Sequence, residues 1–245
     1  MPSEYDLRGH TALVTGAGRR LGRAFAEAIA RQGGDVVVHY RNSQAGAEGA
    51  VQVAQRLGCR SVAIQADLLD PEQAAGLIRR SLELVPEVDL LVNSAAIFEP
   101  VGALEASVET WQRHLSINLT SPYLISQAFA RARNGAPGVI VNLLDWRALL
   151  PAADHFPYTI SKSALAALTR GLALALAPSV RVNGLALGAI LSPAEGGGDD
   201  SLTEVPAGRS GTVQEAVEGL LFLLAGPKSM TGEILRLDGG RHLTG

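Results

Sequence analysis

The feature that most constrains this chain is a regular exchange between short apolar runs and longer amphipathic ones. Seven runs read as strands, at 11–15 (TALVT), 35–40 (DVVVHY), 61–66, 89–93, 139–143, 180–184 and 233–237. Several are near-continuously apolar, which is the pattern of strands covered on both faces. Between them lie segments of helical period near 20–32, 45–57, 71–84, 107–132, 156–177 and 213–225. Asp70-Pro71-Glu72 carries a helix-start signature, with Asp as N-cap and Pro in the first position. This alternation predicts an α/β fold: a single Rossmann-like, doubly wound domain whose seven-stranded parallel sheet is flanked by helices. The length of 245 residues suits one domain spanning 1–245. Within the loop expected at 189–210, the GGGDD stretch at 196–200 reads either as a mobile lid or as a plain loop.

Composition closes several alternatives. Hydrophobic residues make up 47% of the chain, too many for disorder. Cys59 is the single cysteine, so no internal disulfide and no cysteine-built zinc site can form, and a reducing compartment is expected. A net charge of -3 gives no general attraction to nucleic acid or to an anionic membrane. The N-terminal stretch is polar, unlike a signal peptide, and no apolar run approaches the roughly 20 residues that span a bilayer. A cytoplasmic protein with a small-molecule partner is expected, and neither nucleic acid nor membrane. His10, His39, His114 and His242 lack metal-ligand spacing, so structural roles and no metal are expected.

The segment TGAGRRLG at 15–22 follows the first strand and opens the first helix. In a doubly wound fold that turn binds a pyrophosphate through backbone N–H groups and the helix N-terminus. Gly16, Gly18 and Gly22, with Arg19, Arg20 and Leu21, are the candidate contacts. The second strand ends Tyr40-Arg41-Asn42-Ser43, without the acidic residue that binds ribose hydroxyls in NAD sites. Arg41 offers a charge-assisted fork to a 2′-phosphate, with Asn42 and Ser43 as neutral donors, so NADPH is the expected cofactor. The alternative for Arg41 is a solvated loop. Asp67-Leu68 either brings a carboxylate towards an adenine amino group or simply opens a turn.

Tyr158 and Lys162 stand four apart and share a helix face. A phenol has a pKa of about 10, and a neighbouring ammonium lowers it towards the range useful for proton transfer.

With these pieces in hand, the chain resembles the short-chain dehydrogenase/reductase superfamily over nearly its whole length. The resemblance rests on TGAGRRLG (15–22), DL (67–68), LVNSAA (91–96), IN (117–118), YTISK (158–162), RVNG (181–184) and DGG (238–240). It implies NAD(P)-dependent hydride transfer, with Tyr158 as proton donor and Lys162 as ribose ligand and modulator of Tyr158. It implies a relay water held by Asn118, and a nucleotide pocket closed by Asn93 with Ala95 nearby and Gly188 after the sixth strand. A homotetramer, or a dimer, packed through the helices near 107–132 and 156–177 is also implied.

Three departures sharpen this. Arg20 stands where the usual motif has glycine, Asp145 replaces the usual serine thirteen residues before Tyr158, and Leu187-Gly188 replaces Pro-Gly. With HYxxS at 39–43 and Phe98 after the fourth strand, the combination is similar to the pteridine reductase branch. The physical case for Asp145 is independent of that branch. A serine hydroxyl donates to a developing oxyanion, whereas an ionised carboxylate only accepts and suits a ring rich in N–H donors. Once protonated it can also donate to a ring nitrogen.

Phe98 and Trp146 lie at strand ends where such sheets bind ligands, so they either stack a flat substrate or pack the core. Tyr40, Phe156 and Tyr158 also fall near strand ends or the catalytic turn, in a chain with only 4% aromatics. Arg20 either reaches the substrate or stays on the phosphate side. The expected substrate residues are therefore Arg20, Phe98, Asp145, Trp146 and Tyr158, for NADPH-dependent reduction of a pterin C=N bond. The alternatives are a carbonyl reductase acting on a 3-oxoacyl thioester or a sugar ketone, and an inactive nucleotide-binding regulator.

Overall fold

In the computed structural model, residues 5–190 and 205–244 are described; the GGGDD stretch and most of the 189–210 loop lie outside them. The strands are β1 (Thr11–Val14), β2 (Asp35–Tyr40), β3 (Ser61–Gln65), β4 (Leu90–Asn93), β5 (Gly138–Asp145), β6 (Val180–Leu187) and β7 (Ile234–Leu237). They form one all-parallel sheet in the order β3-β2-β1-β4-β5-β6-β7. The helices are α1 (Arg20–Arg31), α2 (Gln44–Arg56), α3 (Pro71–Leu82), α4 (Val108–Leu115), α5 (Ser121–Arg133), α6 (Phe156–Leu176) and α7 (Val213–Ala225). The doubly wound expectation is met.

Successive strand residues point to opposite faces, and the two cores record it. Val14, Val36, Val38, Val92 and Val141 join α1, α2 and α7 on one face. Leu13, Val37, Leu91, Ile140 and Val182 join α3, α5 and α6 on the other. Each fully buried side chain of this size contributes roughly 1.5–3 kcal/mol relative to exposure. That is why strands with two apolar faces stay in the middle of the sheet.

Asp70 caps α3 as expected, accepting from the Glu72 and Gln73 backbone N–H groups behind Pro71. Two boundaries differ from the sequence reading. β5 and β6 run on to Asp145 and Leu187, which pair with each other, so the catalytic candidate Asp145 is the last residue of a strand. The helix expected at 107–132 is broken by a π-helical segment, Ser116–Thr120, between α4 and α5. Tertiary bonds account for the break. Asn118 reaches the backbone of Ile97, and the Ser121 hydroxyl donates to the carbonyl of Leu68. The chain order turns back between β1 and β4, and at such a switch point the strand ends open a crevice for ligands.

Candidate active site

On the β1 side of that crevice the glycine turn is tightly constrained. Gly16 has φ +67°, and a Cβ there would lie 2.9 Å from Ala95 Cα. A Cβ on Gly22 would meet the Gly16 carbonyl oxygen at 2.4 Å, and one on Gly18 would meet the Ser43 carbonyl at 2.8 Å. Glycine is therefore needed for close backbone approach, and the contacts draw Ala95 and Ser43 to the turn. Thr15 strengthens this. Its hydroxyl accepts from the Ser94 and Ala95 N–H groups at 2.9 and 3.0 Å. Sequence reasoning gave Thr15 no role, although it opens the motif.

His39 is buried and structural, as expected, but its position matters. The Gly16 N–H donates to its Nδ1 at 3.0 Å, so Nε2 carries the hydrogen and donates to the Ala66 carbonyl at 3.1 Å. Burial pushes its pKa down to about 4. Arg41 and Asn42 are exposed beyond β2, beside the turn. Asp67 Oδ1 accepts the Leu69 N–H at 3.0 Å, which is turn-opening behaviour, and Leu68 is buried. Asn93 turns its side chain into the interior, donating to Asn142 at 2.8 Å. Gly188 donates its N–H to the Leu237 carbonyl at 3.0 Å, and a Cβ on it would press against Asp238. Arg20 is exposed at φ +51°, a left-handed conformation at the position where the family's usual residue is glycine.

Across the crevice, α6 brings Tyr158 to the end of β5. The Tyr158 hydroxyl donates to Asp145 Oδ2 at 3.2 Å. The Lys162 ammonium donates to the Leu143 carbonyl at 2.6 Å and lies 5.8 Å from the Tyr158 ring centroid. Burial lowers Lys162 to about 8. Burial also pushes the Tyr158 phenol well above its ordinary value, and the Asp145 carboxylate beside it pushes the same way. Desolvation and the adjacent carboxylate set that direction, and the modulation of Tyr158 by Lys162 that the resemblance implies stays a proposal. Burial raises the Asp145 carboxyl too, against the opposing pull of Arg147, Lys162 and Tyr158.

Asn118 is fully buried in the π segment. Its amide donates to the Ile97 carbonyl and to Ser161 Oγ, and accepts from the Ile97 N–H. Its side chain thus anchors the segment after β4, and a relay water would have to find the backbone instead. Phe98, at the end of that segment, is half-exposed. It stacks on His155 with centroids 3.9 Å apart and meets the Tyr158 ring edge-on at 4.6 Å. Trp146 is buried between the Arg147 and Arg241 guanidinium groups, at 4.6 and 4.3 Å from its ring.

Arg147 was missed in the sequence. Its backbone N–H donates to Asp145 Oδ1 at 2.9 Å, and its guanidinium reaches Asp154 Oδ2 at 2.8 Å. An arginine two residues after the carboxylate was the only available signal.

The family model described as Enoyl-(Acyl carrier protein) reductase matches residues 16–242. The L-rhamnose 1-dehydrogenase (NAD(P)(+)) of a Sphingomonas species is 31% identical, over 97% of this chain and 98% of that protein. The crystal structure of FolM Alternative dihydrofolate reductase 1 from Brucella canis, complexed with NADP, superposes with TM-score 0.89 at 30% identity, covering 97% of this chain and 95% of that one. A short chain dehydrogenase from Burkholderia cenocepacia in complex with NADP has TM-score 0.90 at 33% identity, covering 96% and 98%. The chain belongs to the short-chain dehydrogenase/reductase superfamily.

As a short-chain dehydrogenase/reductase it is an oxidoreductase. Among the described residues no group of His, Cys, Asp and Glu could hold a metal, and no helix is long and apolar enough to cross a membrane. The candidate residues of this short-chain dehydrogenase/reductase come from the turn after β1, the ends of β2, β4 and β5, the π-helical segment and the first turns of α6.

Proposed function

We propose that this chain is an NADPH-dependent reductase of a pterin, acting on a dihydropterin- or dihydrofolate-type C=N bond. The observation that carries the reading is the carboxylate of Asp145 at the tip of β5, hydrogen-bonded to the Tyr158 hydroxyl where a ketone reductase presents a neutral donor. The Brucella canis structure, an alternative dihydrofolate reductase complexed with NADP, supports the same reading.

The cradle fits a dinucleotide: three glycines at positions where a Cβ would collide, with Arg41, Asn42 and Ser43 alongside for a 2′-phosphate. Arg19, Arg20, Leu21, Asp67, Leu68, Asn93, Ala95 and Gly188 complete the proposed wall. When bound, NADPH supplies a hydride.

The chain's own residues orient the ring and move the proton. Asp145 accepts ring N–H or amino donors. Its raised pKa lets it take up a proton and deliver it to the ring nitrogen adjacent to the reduced carbon. Tyr158, hydrogen-bonded to Asp145, donates or relays a proton at the substrate, Lys162 compensates charge beneath them, and Asn118 fixes the segment that carries Phe98. Phe98 offers a face for a flat ring, and Trp146 and Arg20 are the further proposed substrate contacts.

The test is NADPH oxidation with 7,8-dihydrobiopterin and other reduced pterins. Good turnover of a ketone with none of any pterin would sink the reading in favour of a carbonyl reductase, which the sugar-dehydrogenase relative makes the second reading. Asp145→Ser separates the two, impairing pterin reduction while sparing or improving ketone reduction. The single-domain extent 1–245, a cytoplasmic location and a homotetramer through α4, α5 and α6 are parts of the same proposal. Leu174, 84% exposed on α6, supports the last of these, and sedimentation tests it.

A further inference from the structure

We propose that Arg147 and His155 form a carboxylate-binding subsite at the rim of the pocket, beside Phe98, which the chain's own Asp154 fills. It rests on the pterin reading only for the identity of the ring that the carboxylate accompanies.

Two donors from different turns converge on one oxygen. Arg147 Nη2 reaches Asp154 Oδ2 at 2.8 Å, and His155 Nδ1 lies 2.9 Å from the same atom. The donors are wall and the acceptor is mouth: the Arg147 and His155 side chains are 14% and 16% exposed, while Asp154 is 52% exposed. The arrangement is also held in place. Arg147 is pinned by its backbone bond to Asp145 and lies over Trp146, and His155 sits at φ +49°, stacked on Phe98.

The donors are largely buried but the Asp154 carboxylate is half-exposed, so solvent screens its side of the pair and offers it an alternative partner. An incoming carboxylate can therefore take its place, and the guanidinium geometry suits it. Burial pushes the Asp154 carboxyl up, but its bonds to Arg147 and His155 hold it below the ordinary value, so the donor pair favours an anion at this point.

The same guanidinium also lies 3.8 Å from Asp145. The subsite is thus one guanidinium's width from the proposed reacting centre. That spacing selects a substrate whose carboxylate is attached close to the reduced ring, such as a 6-carboxypterin. It does not select one whose carboxylate ends a long tail.

The experiment uses the full chain with saturating NADP+ and a pterin-free probe, benzoate, against the neutral benzamide, titrated by ligand-observed NMR. Asp154→Asn keeps the shape of the turn and removes the competing charge. It is expected to bind benzoate about threefold to fivefold more tightly than the parent, with benzamide unchanged. Arg147→Gln is expected to lose the preference for benzoate, and Arg147→Lys to recover part of it, which guards against a misfolded glutamine variant. Equal benzoate affinity in the parent and Asp154→Asn, or an undiminished preference in Arg147→Gln, would overturn the subsite.

A kinetic arm compares 7,8-dihydro-6-carboxypterin with 7,8-dihydrobiopterin. If both readings hold, kcat/KM favours the carboxylated ring and Asp154→Asn widens the margin. If the benzoate results are as expected but no pterin turns over, the subsite stands and the pterin reading fails. If pterins turn over but benzoate ignores Asp154 and Arg147, the reverse is true.

Discussion

At the scale of single residues, two backbone-coupled side chains give the sharpest expectations. His39 is neutral in the folded protein, its pKa lowered to about 4 from 6.5 by burial, and its lone pair accepts the Gly16 N–H. The unfolded chain therefore binds more protons between these values. His39 stabilises the fold fully above pH 6.5, and that contribution is lost as pH falls towards 4. Urea midpoints measured across this window should fall by the equivalent of up to about 3 kcal/mol. His39→Gln should flatten the curve there and raise the KM for NADPH, because the proposed phosphate-binding turn loses its brace. Arg20 holds a left-handed backbone that costs an L-residue roughly 1–2 kcal/mol, whereas glycine adopts it freely but loses more entropy on folding. Arg20→Gly should therefore raise stability by about 0.5 kcal/mol while weakening nucleotide or substrate binding. Denaturation and a cofactor titration on the same variant check the two halves of that statement.

At the scale of elements, α7 is a good place to test local energetics apart from the site. Thr212 and Glu215 form a reciprocal capping box at its start. Thr212→Ala should cost about 1 kcal/mol in chemical denaturation with pterin or ketone turnover unchanged. Such caps were legible in part. Asp70-Pro71 announced α3, but Thr212 followed a stretch without periodic pattern and went unread. All seven strands were readable, because runs such as DVVVHY have only one comfortable place, a sheet covered on both faces. The ends of β5 and β6 were not. Asp145 is held in the sheet by pairing with Leu187, a partner 42 positions away that no local pattern names. The π segment escaped for the same reason, since Asn118 is pulled by Ile97 and not by its helical neighbours. At the site, Asp145, Tyr158 and Lys162 stood out by spacing. Arg147 had no motif to announce it, Asp154 and His155 were marked only by lying just before Tyr158, and only folding brings Phe98 against His155.

At the scale of the whole molecule, the nucleotide cradle is assembled from β1, β2 and β4 together, so its ligand should report on global stability. NADPH at a hundred times its Kd should stabilise the fold by about 2.7 kcal/mol, read as a shift in the thermal midpoint. NADH at equal concentration should stabilise less, and Arg41→Ala should make the two dinucleotides equivalent. An NADH preference untouched by that substitution would remove Arg41 from the phosphate site. On the β5 side of the sheet, the indole of Trp146 is clasped between the Arg147 guanidinium, from the turn after that strand, and the Arg241 guanidinium, from the turn after β7. An aromatic ring fixed asymmetrically between two charges is optically active. Near-ultraviolet circular dichroism should therefore carry one signal that registers whether the chain's tail is seated against its reaction centre, without any substrate and without any label.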